Sequence, residues 1–222
     1  MLNLSAIQNG TMQEIPYKWV VFENLLDKQT QTELIKTFPT KHFQEYSGKS
    51  HPSLLEEYYA EYTYKDYQFF RRYVFYEKDG KGFQHTADLS EVWQKLLEEL
   101  LTPDYRSAIE QLSGVNLKNH SLEIRFFRDR PGFWNRPHTD HQLKNVTHIL
   151  YFNEEWNPEW GGCFQVLNDN QTKSVVKEVI PLPQYSVAIV RCDRSWHMVS
   201  PISLNATQDR LSLHMIFWAS ES

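Results

Sequence analysis

The 222-residue sequence contains only two cysteines, Cys163 and Cys192, too few for a disulfide framework and lacking the CxxC spacing of a soft-metal site. Both read as small core residues. No stretch approaches the roughly 18 consecutive apolar residues of a membrane span. The opening, Met1-Leu2-Asn3-Leu4-Ser5, lacks the positive flank and apolar run of a secretory leader. Basic residues are outnumbered, 23 Lys and Arg against 28 Asp and Glu, which leaves no footprint for a nucleic-acid groove. Internal repeats, low-complexity tracts and a Gly/Ser-rich linker are also missing. These absences point to one cytoplasmic domain with no nucleic-acid or membrane partner. What is abundant is bulk: 41% hydrophobic and 14% aromatic residues, enough for a sizeable core and too many for a disordered chain.

The first half mixes helix and strand signals. Tyr17 to Phe22, aromatic and β-branched, predicts a short strand. Thr30 with Glu33 suggests a capping box for a helix that Pro39 stops. Residues 40–68 are polar and tyrosine-rich, which predicts loop with short helix, and Phe69 to Glu77 predicts a strand closed by a turn at Asp79-Gly80. Asp88 with Glu91 suggests a second capping box. Beyond it Trp93, Leu96, Leu97, Leu100 and Leu101 form an amphipathic stripe. After Pro103 a further helix, Asp104 to Ser113, is expected to stop at Gly114. These helices buttress a sheet.

From Val115 onward short β-like runs recur: Leu122 to Arg128, Val146 to Phe152, Gly162 to Leu167, Ser174 to Ile180, Ser186 to Arg191 and Leu211 to Trp218. Strands this short and this regularly spaced predict an antiparallel sandwich or barrel, of which a jelly roll is one closure. The expected fold class is therefore α+β, mainly β, over a single domain 1–222. Residues 1–114 would support, or form a lid on, a core of 115–222.

His138-Thr139-Asp140 is the chemically informative tripeptide. In an extended segment residues two apart project to one face, so the imidazole and carboxylate can bind one metal ion. His197, at the start of another β-like run, is the natural third ligand. Two histidines and one carboxylate on one side of a metal leave positions open for a cosubstrate and O₂, the arrangement of non-haem Fe(II) oxygenases. A His-x-Asp alone is weak, since the chain holds nine histidines. The C-terminal run adds weight: alternation sets Arg210, Ser212, His214 and Ile216 on one face and Leu211, Leu213, Met215 and Phe217 on the other. An inward Arg210 is costly unless it meets an anion, either a ligand carboxylate or an internal Asp or Glu.

His138-Thr139-Asp140, His197 and Arg210-Leu211-Ser212 resemble the iron and 2-oxoglutarate motifs of the Fe(II)/2-oxoglutarate-dependent dioxygenases, with most likeness to the prolyl-hydroxylase-like branch. Val146 to Asn153 resembles that branch's third core strand, Trp156 to Gly162 the turn after it, and Ser195 to Pro201 the segment of the distal histidine. The likeness spans about residues 120–219. It implies a double-stranded β-helix (jelly roll) core with His138, Asp140 and His197 as ligands of catalytic Fe(II). Arg210 would hold the distal carboxylate of 2-oxoglutarate, with Tyr151 bonding it too and Thr147 nearby. Ser212 and His214 would line the same cofactor pocket. The implied reaction consumes O₂ and 2-oxoglutarate, releases succinate and CO₂, and hydroxylates a C–H bond; ascorbate is a possible accessory. Asp140 argues against halogenation, which in relatives accompanies a small residue there.

Substrate is less legible. Arg128, Arg130 and Trp134 precede the tripeptide and are candidate contacts for a substrate carboxylate or phosphate, unless they only shape their loop. Arg125 and Glu123 share a strand face and can pair with each other. His141 and His148 read as packing or surface residues, and Glu154, Glu155 and Glu159 as a solvated turn. A small-molecule substrate is the first expectation and a prolyl peptide the second. A catalytically silent jelly-roll binding module, or a cupin-like metalloenzyme that does not use 2-oxoglutarate, are readings of other classes.

Overall fold

The computed structural model describes residues 1–49, 66–77 and 82–220. In chain order its elements are α1 (Leu4–Gln8), β1 (Trp19–Glu23), α2 (Lys28–Lys36), β2 (Gln44–Lys49), β3 (Asp66–Tyr76), β4 (Gly82–Phe83), α3 (Glu91–Leu100) and α4 (Pro103–Ser113). Then follow β5 (Ser121–Asp129), β6 (Asn135–His138), β7 (Lys144–Tyr151), β8 (Phe164–Leu167), β9 (Val175–Val179), β10 (Tyr185–Val190), β11 (His197–Val199) and β12 (Arg210–Trp218).

Two antiparallel sheets face each other in a jelly roll. The larger has the order β1-β10-β7-β12-β5-β3-β2, with β4 against β3; the smaller is β6-β11-β8-β9. Period-two alternation gives the larger sheet two different faces. Ile124 and Phe126 of β5 and Leu213, Met215 and Phe217 of β12 pack with Leu34 of α2 and with Trp93, Leu96, Leu97 and Leu100 of α3. The opposite face, with Ile149, Tyr151, Val187 and Ile189, meets Phe164, Val166 and Val179 of the smaller sheet.

The expected helical stripe is the face α3 buries, with Leu101 at its C-cap. Trp93 is fully buried, packs at 4.8 Å centroid distance on both Phe126 and Phe152, and donates from Nε1 to the Thr37 carbonyl at 3.0 Å. Large side chains of this kind stabilise the fold by about 1.5–3 kcal/mol each through burial alone. The helix after Pro103 also forms, with Thr102 as its cap and Gly114 in the left-handed conformation at its end.

Both expected capping boxes are replaced by neighbouring caps. Helix α2 starts at Lys28, and Asp27 accepts from Thr30 through both the backbone N–H (2.8 Å) and the hydroxyl (2.6 Å). Helix α3 is capped at Ser90, without a side-chain bond. Asp88 instead forks to the buried Arg72, with Nη1 at 3.1 Å from its Oδ2. Burial alone would raise the Asp88 pKa, but Arg72 outweighs it and lowers it. Residues 40–68 also differ from the loop expected: Gln44–Lys49 is a strand paired with β3. The Tyr58-Tyr59 and Tyr62-Thr63-Tyr64 clusters read as a lid, and the turn at Asp79-Gly80, lie outside the described residues. Among the described residues no helix is long and apolar enough to cross a membrane.

Candidate active site

Pro137 holds the residue before it extended, and β6 therefore runs straight to His138 at the edge of the smaller sheet. His197 opens β11 and is the direct cross-strand partner of His138. Asp140 follows just beyond the strand end. Potential ligand atoms of His138, Asp140 and His197 all lie within 4.8 Å of one another.

The protonation states suit a cation. His138 Nδ1 lies 2.8 Å from the Arg136 carbonyl, and His197 Nδ1 lies 2.9 Å from the Ser195 carbonyl. A carbonyl only accepts, so each Nδ1 carries the proton and each Nε2 keeps a lone pair for a metal. Burial, reinforced by His197, pushes the His138 pKa down to about 4, and burial lowers that of His197. Burial alone would raise Asp140, but His197 and Lys144 outweigh it and hold the carboxyl well below the usual range. Lys144 Nζ reaches Asp140 Oδ1 at 2.9 Å, and the Thr147 hydroxyl donates to Oδ2 at 3.3 Å. Two neutral imidazoles and an oriented carboxylate are a donor set suited to Fe(II).

These groups line a cavity of about 100 Å³ between the sheets. A larger groove of about 540 Å³ opens between the β1 and β9 edges, lined by Trp19, Lys177 and Tyr185, and holds none of them. Volume is therefore a poor guide here; the chemistry sits in the smaller space.

Arg210, 2% exposed, projects inward from β12 as alternation requires. Its Nε donates to the Gly162 carbonyl at 2.7 Å, and Nη1 pairs with Asp129 Oδ2 at 2.9 Å. The inward position is thus met by a protein carboxylate, and Arg210 by itself does not demand a ligand anion. Burial, opposed by Arg210, raises the Asp129 pKa to about 6. The guanidinium also lies 5.1 Å from the centre of the Tyr151 ring. Tyr151 Oη is buried there without a geometrically complete hydrogen bond, and burial pushes its pKa up to about 12. A buried hydroxyl whose proton has no acceptor, beside a guanidinium, fits a ligand carboxylate, which accepts from both.

The Gly161–Gly162 turn sets this geometry. Both glycines have positive φ, and a Cβ on Gly162 would sit 3.0 Å from Ile202 Cγ1 and 3.1 Å from Trp156 Cζ2. Only glycine brings the carbonyl under Arg210.

The structure brings His138, Asp140, His197, Thr147, Arg210 and His214 to one cavity. Thr147 shares the cavity with Arg210 and donates to Asp140. Ser212 Oγ and His214 Nε2 bond each other at 3.0 Å, and the His214 ring stacks on Phe127 at 4.0 Å. None of the three substrate candidates lines this cavity. Arg128 alternates with Phe127 and Asp129 on β5 and turns to the helix side, where it pairs with Asp209 at 2.8 Å. Arg130 is exposed and donates to Gln68 Oε1 at 3.2 Å, and Trp134 is buried. Arg125 and Glu123 pair at 3.0 Å, as their shared face suggested. His148 is a core residue with Nδ1 2.9 Å from Tyr105 Oη, His141 is exposed, and Cys163 is buried. Arg71, Lys144 and Asp129 were missed as site residues. Alternation along Phe69, Arg71 and Tyr73 was visible, but the inward face follows only once β3 is placed beside β5.

The profile of the 2OG-Fe(II) oxygenase superfamily matches residues 128–218, the stretch that carries all of these groups. The chain is similar to that superfamily over this stretch. No curated protein matches this chain. Among solved structures it is similar to a Pseudomonas putida prolyl-4-hydroxylase, with TM-score 0.59, 18% identity, and coverage of 98% of this chain and 97% of that one. A Trichoplax adhaerens prolyl hydroxylase in complex with a hypoxia-inducible-factor oxygen degradation domain peptide fragment gives TM-score 0.56 and 14% identity, covering 98% and 87%. A Burkholderia pseudomallei oxidoreductase of the 2OG-Fe(II) oxygenase family gives 0.57 and 11%, covering 97% and 89%. The match indicates an enzyme of the dioxygenase type and implies Fe(II) and 2-oxoglutarate.

Proposed function

We propose that this oxygenase hydroxylates an unactivated C–H bond of a small metabolite or biosynthetic intermediate, converting O₂ and 2-oxoglutarate to succinate and CO₂ as the substrate gains a hydroxyl. The observation that carries the reading is the convergence of His138, Asp140 and His197 within 4.8 Å on the wall of a cavity that also contains Arg210. The iron and its keto-acid cosubstrate supply the oxidising chemistry when bound.

The chain's own residues bind, orient and exclude water. His138 and His197 present neutral Nε2 atoms, fixed by the carbonyls behind them. Lys144 and Thr147 hold the Asp140 carboxylate in one orientation. Arg210 and Tyr151 receive the distal carboxylate of 2-oxoglutarate, with Ser212 and His214 completing that wall. Phe164 and Ile189 close the inner cavity with apolar surface. Residues 1–114 act as support for the core of residues 115–222.

A prolyl peptide is the second reading, favoured by the fold shared with the peptide-bound Trichoplax enzyme. The test starts with protein kept under argon and titrated with Fe(II) and 2-oxoglutarate, watching the visible charge-transfer band of the iron–keto-acid chelate. Wild type should form the band, His197→Ala should lose it, and Arg210→Ala should need far more 2-oxoglutarate. Bound iron without a band would sink the cosubstrate assignment. Succinate release, assayed with ascorbate present, then decides the substrate class: faster release with a proline-containing peptide than with any small molecule selects the second reading.

A further inference from the structure

Four cationic side chains line the cavity: Arg71, Arg125, Lys144 and Arg210. Three have a carboxylate of their own. Lys144 pairs with Asp140 at 2.9 Å, Arg210 with Asp129 at 2.9 Å, and Arg125 with Glu123 at 3.0 Å. Arg71 has none: among the described residues it makes no ion pair, and its buried Nε has no hydrogen-bond partner.

What Arg71 has instead is a rigid seat. Its guanidinium lies 4.7 Å from the centre of the Phe69 ring, 5.2 Å from that of Tyr46 and 5.2 Å from that of Phe127. Aromatic faces stabilise a cation and fix its plane, but they do not satisfy its N–H donors. Arg71 is half-buried; a buried Nε without an acceptor is costly, and a planar carboxylate satisfies two guanidinium N–H groups at once.

Position separates this group from the cosubstrate anchor. Arg71 lies on β3, two strands from Arg210 in the order β12-β5-β3, about 10 Å across the sheet at the usual strand spacing. Tyr151, on β7, lies one strand further away. Arg210 and Tyr151 therefore hold one end of one molecule while Arg71 faces another.

We infer that Arg71 anchors a carboxylate of the primary substrate, so that the oxygenase acts on a small carboxylic acid held between Arg71 and the His138–Asp140–His197 cluster. The inference rests on the oxygenase reading above and narrows its substrate class. It also disfavours an internal peptide residue, whose backbone carries no carboxylate.

The test has two arms. In metal-free protein the Arg71 Nε–H signal is identified in a ¹⁵N–¹H spectrum by its loss in Arg71→Lys. It is then followed during titration with acetate and benzoate and with the neutral acetamide and benzamide. The acids should shift it saturably and the amides should not, and Arg71→Gln should bind benzoate at least about tenfold more weakly. In the second arm, Fe(II)-loaded wild type and Arg71→Gln are titrated with 2-oxoglutarate under argon and should agree within about twofold.

An Arg71 signal that ignores the acids, or moves equally with the amides, overturns the inference. So does a loss of about tenfold or more in 2-oxoglutarate affinity in Arg71→Gln, which would assign the carboxylate to the cosubstrate. If wild type forms no charge-transfer band while Arg71 still answers to benzoate, the oxygenase reading has failed. The assignment to a substrate falls with it, although the anion site stands.

Discussion

The two faces of the larger sheet use the same strands for opposite purposes. On β12, Leu213, Met215 and Phe217 turn to the helices, while Arg210, His214 and Ile216 turn to the cavity. The helix side is filled mainly by shape, with the Arg72–Asp88 and Arg128–Asp209 pairs as its charged exceptions. On the cavity side Lys144, Arg125 and Arg210 are each matched to a carboxylate. His148 and His197 make the contrast within one residue type. Both are buried, at 0% and 6% exposure, and burial lowers the pKa of both. His148 spends its Nδ1 on Tyr105 inside an apolar core, whereas His197 turns its Nε2 to within 4.0 Å of an Asp140 carboxylate oxygen. Burial therefore does not mark function; what the free nitrogen faces does.

This division is open to attack from both sides. Trp93→Ala should cost about 3–5 kcal/mol of stability in denaturant titration while the folded fraction keeps its iron affinity. A parallel loss of iron affinity would mean that the two faces are not separable. His148 gives a pH signature. The unfolded chain takes a proton near pH 6.5, and the folded state refuses it down to about 3. The unfolded state binds more protons within that window, so stability is fully present above it and falls as the pH drops through it. His148→Met should flatten the slope by up to about 1.4 kcal/mol per pH unit. An unchanged slope would assign the acid sensitivity to the cavity histidines. Thr147→Val, on the other face, should leave the melting temperature nearly unchanged and weaken iron affinity by about tenfold or less, because its bond to Asp140 is long. No change in affinity would show that Lys144 alone orients the carboxylate.

Much of this was legible in the sequence because it depends on short periods. Strand alternation placed Arg210 and His214 inward, and the i, i+3, i+4 stripe gave the buried face of α3. The tripeptide at 138–140 with His197 pointed to the cluster. What was not legible depends on strand ends and on long-range pairing. Strand β5 runs one residue further than expected, to Asp129, and so puts a carboxylate against Arg210, 81 positions away. Strand β2, reading Gln-Glu-Tyr-Ser-Gly-Lys, has no apolar alternation to announce it; as the edge strand it is held by pairing with β3. The helix starts slipped because several side chains could serve as caps. Asp27 was nearer the first turn than Thr30, and Arg72 had already engaged Asp88.

The turn under Arg210 has a bearing on descent. Gly162 supplies the carbonyl that receives the guanidinium, and a side chain there would collide with Ile202 and Trp156. Gly161 is under the same restriction, since its Cβ would lie 2.2 Å from the Pro201 carbonyl oxygen. The glycine pair and Arg210 are far apart in the gene yet form one heritable unit. A lineage that replaces the glycines loses the perch for the arginine, whereas one that abandons the arginine still holds the glycines through Pro201, Ile202 and Trp156.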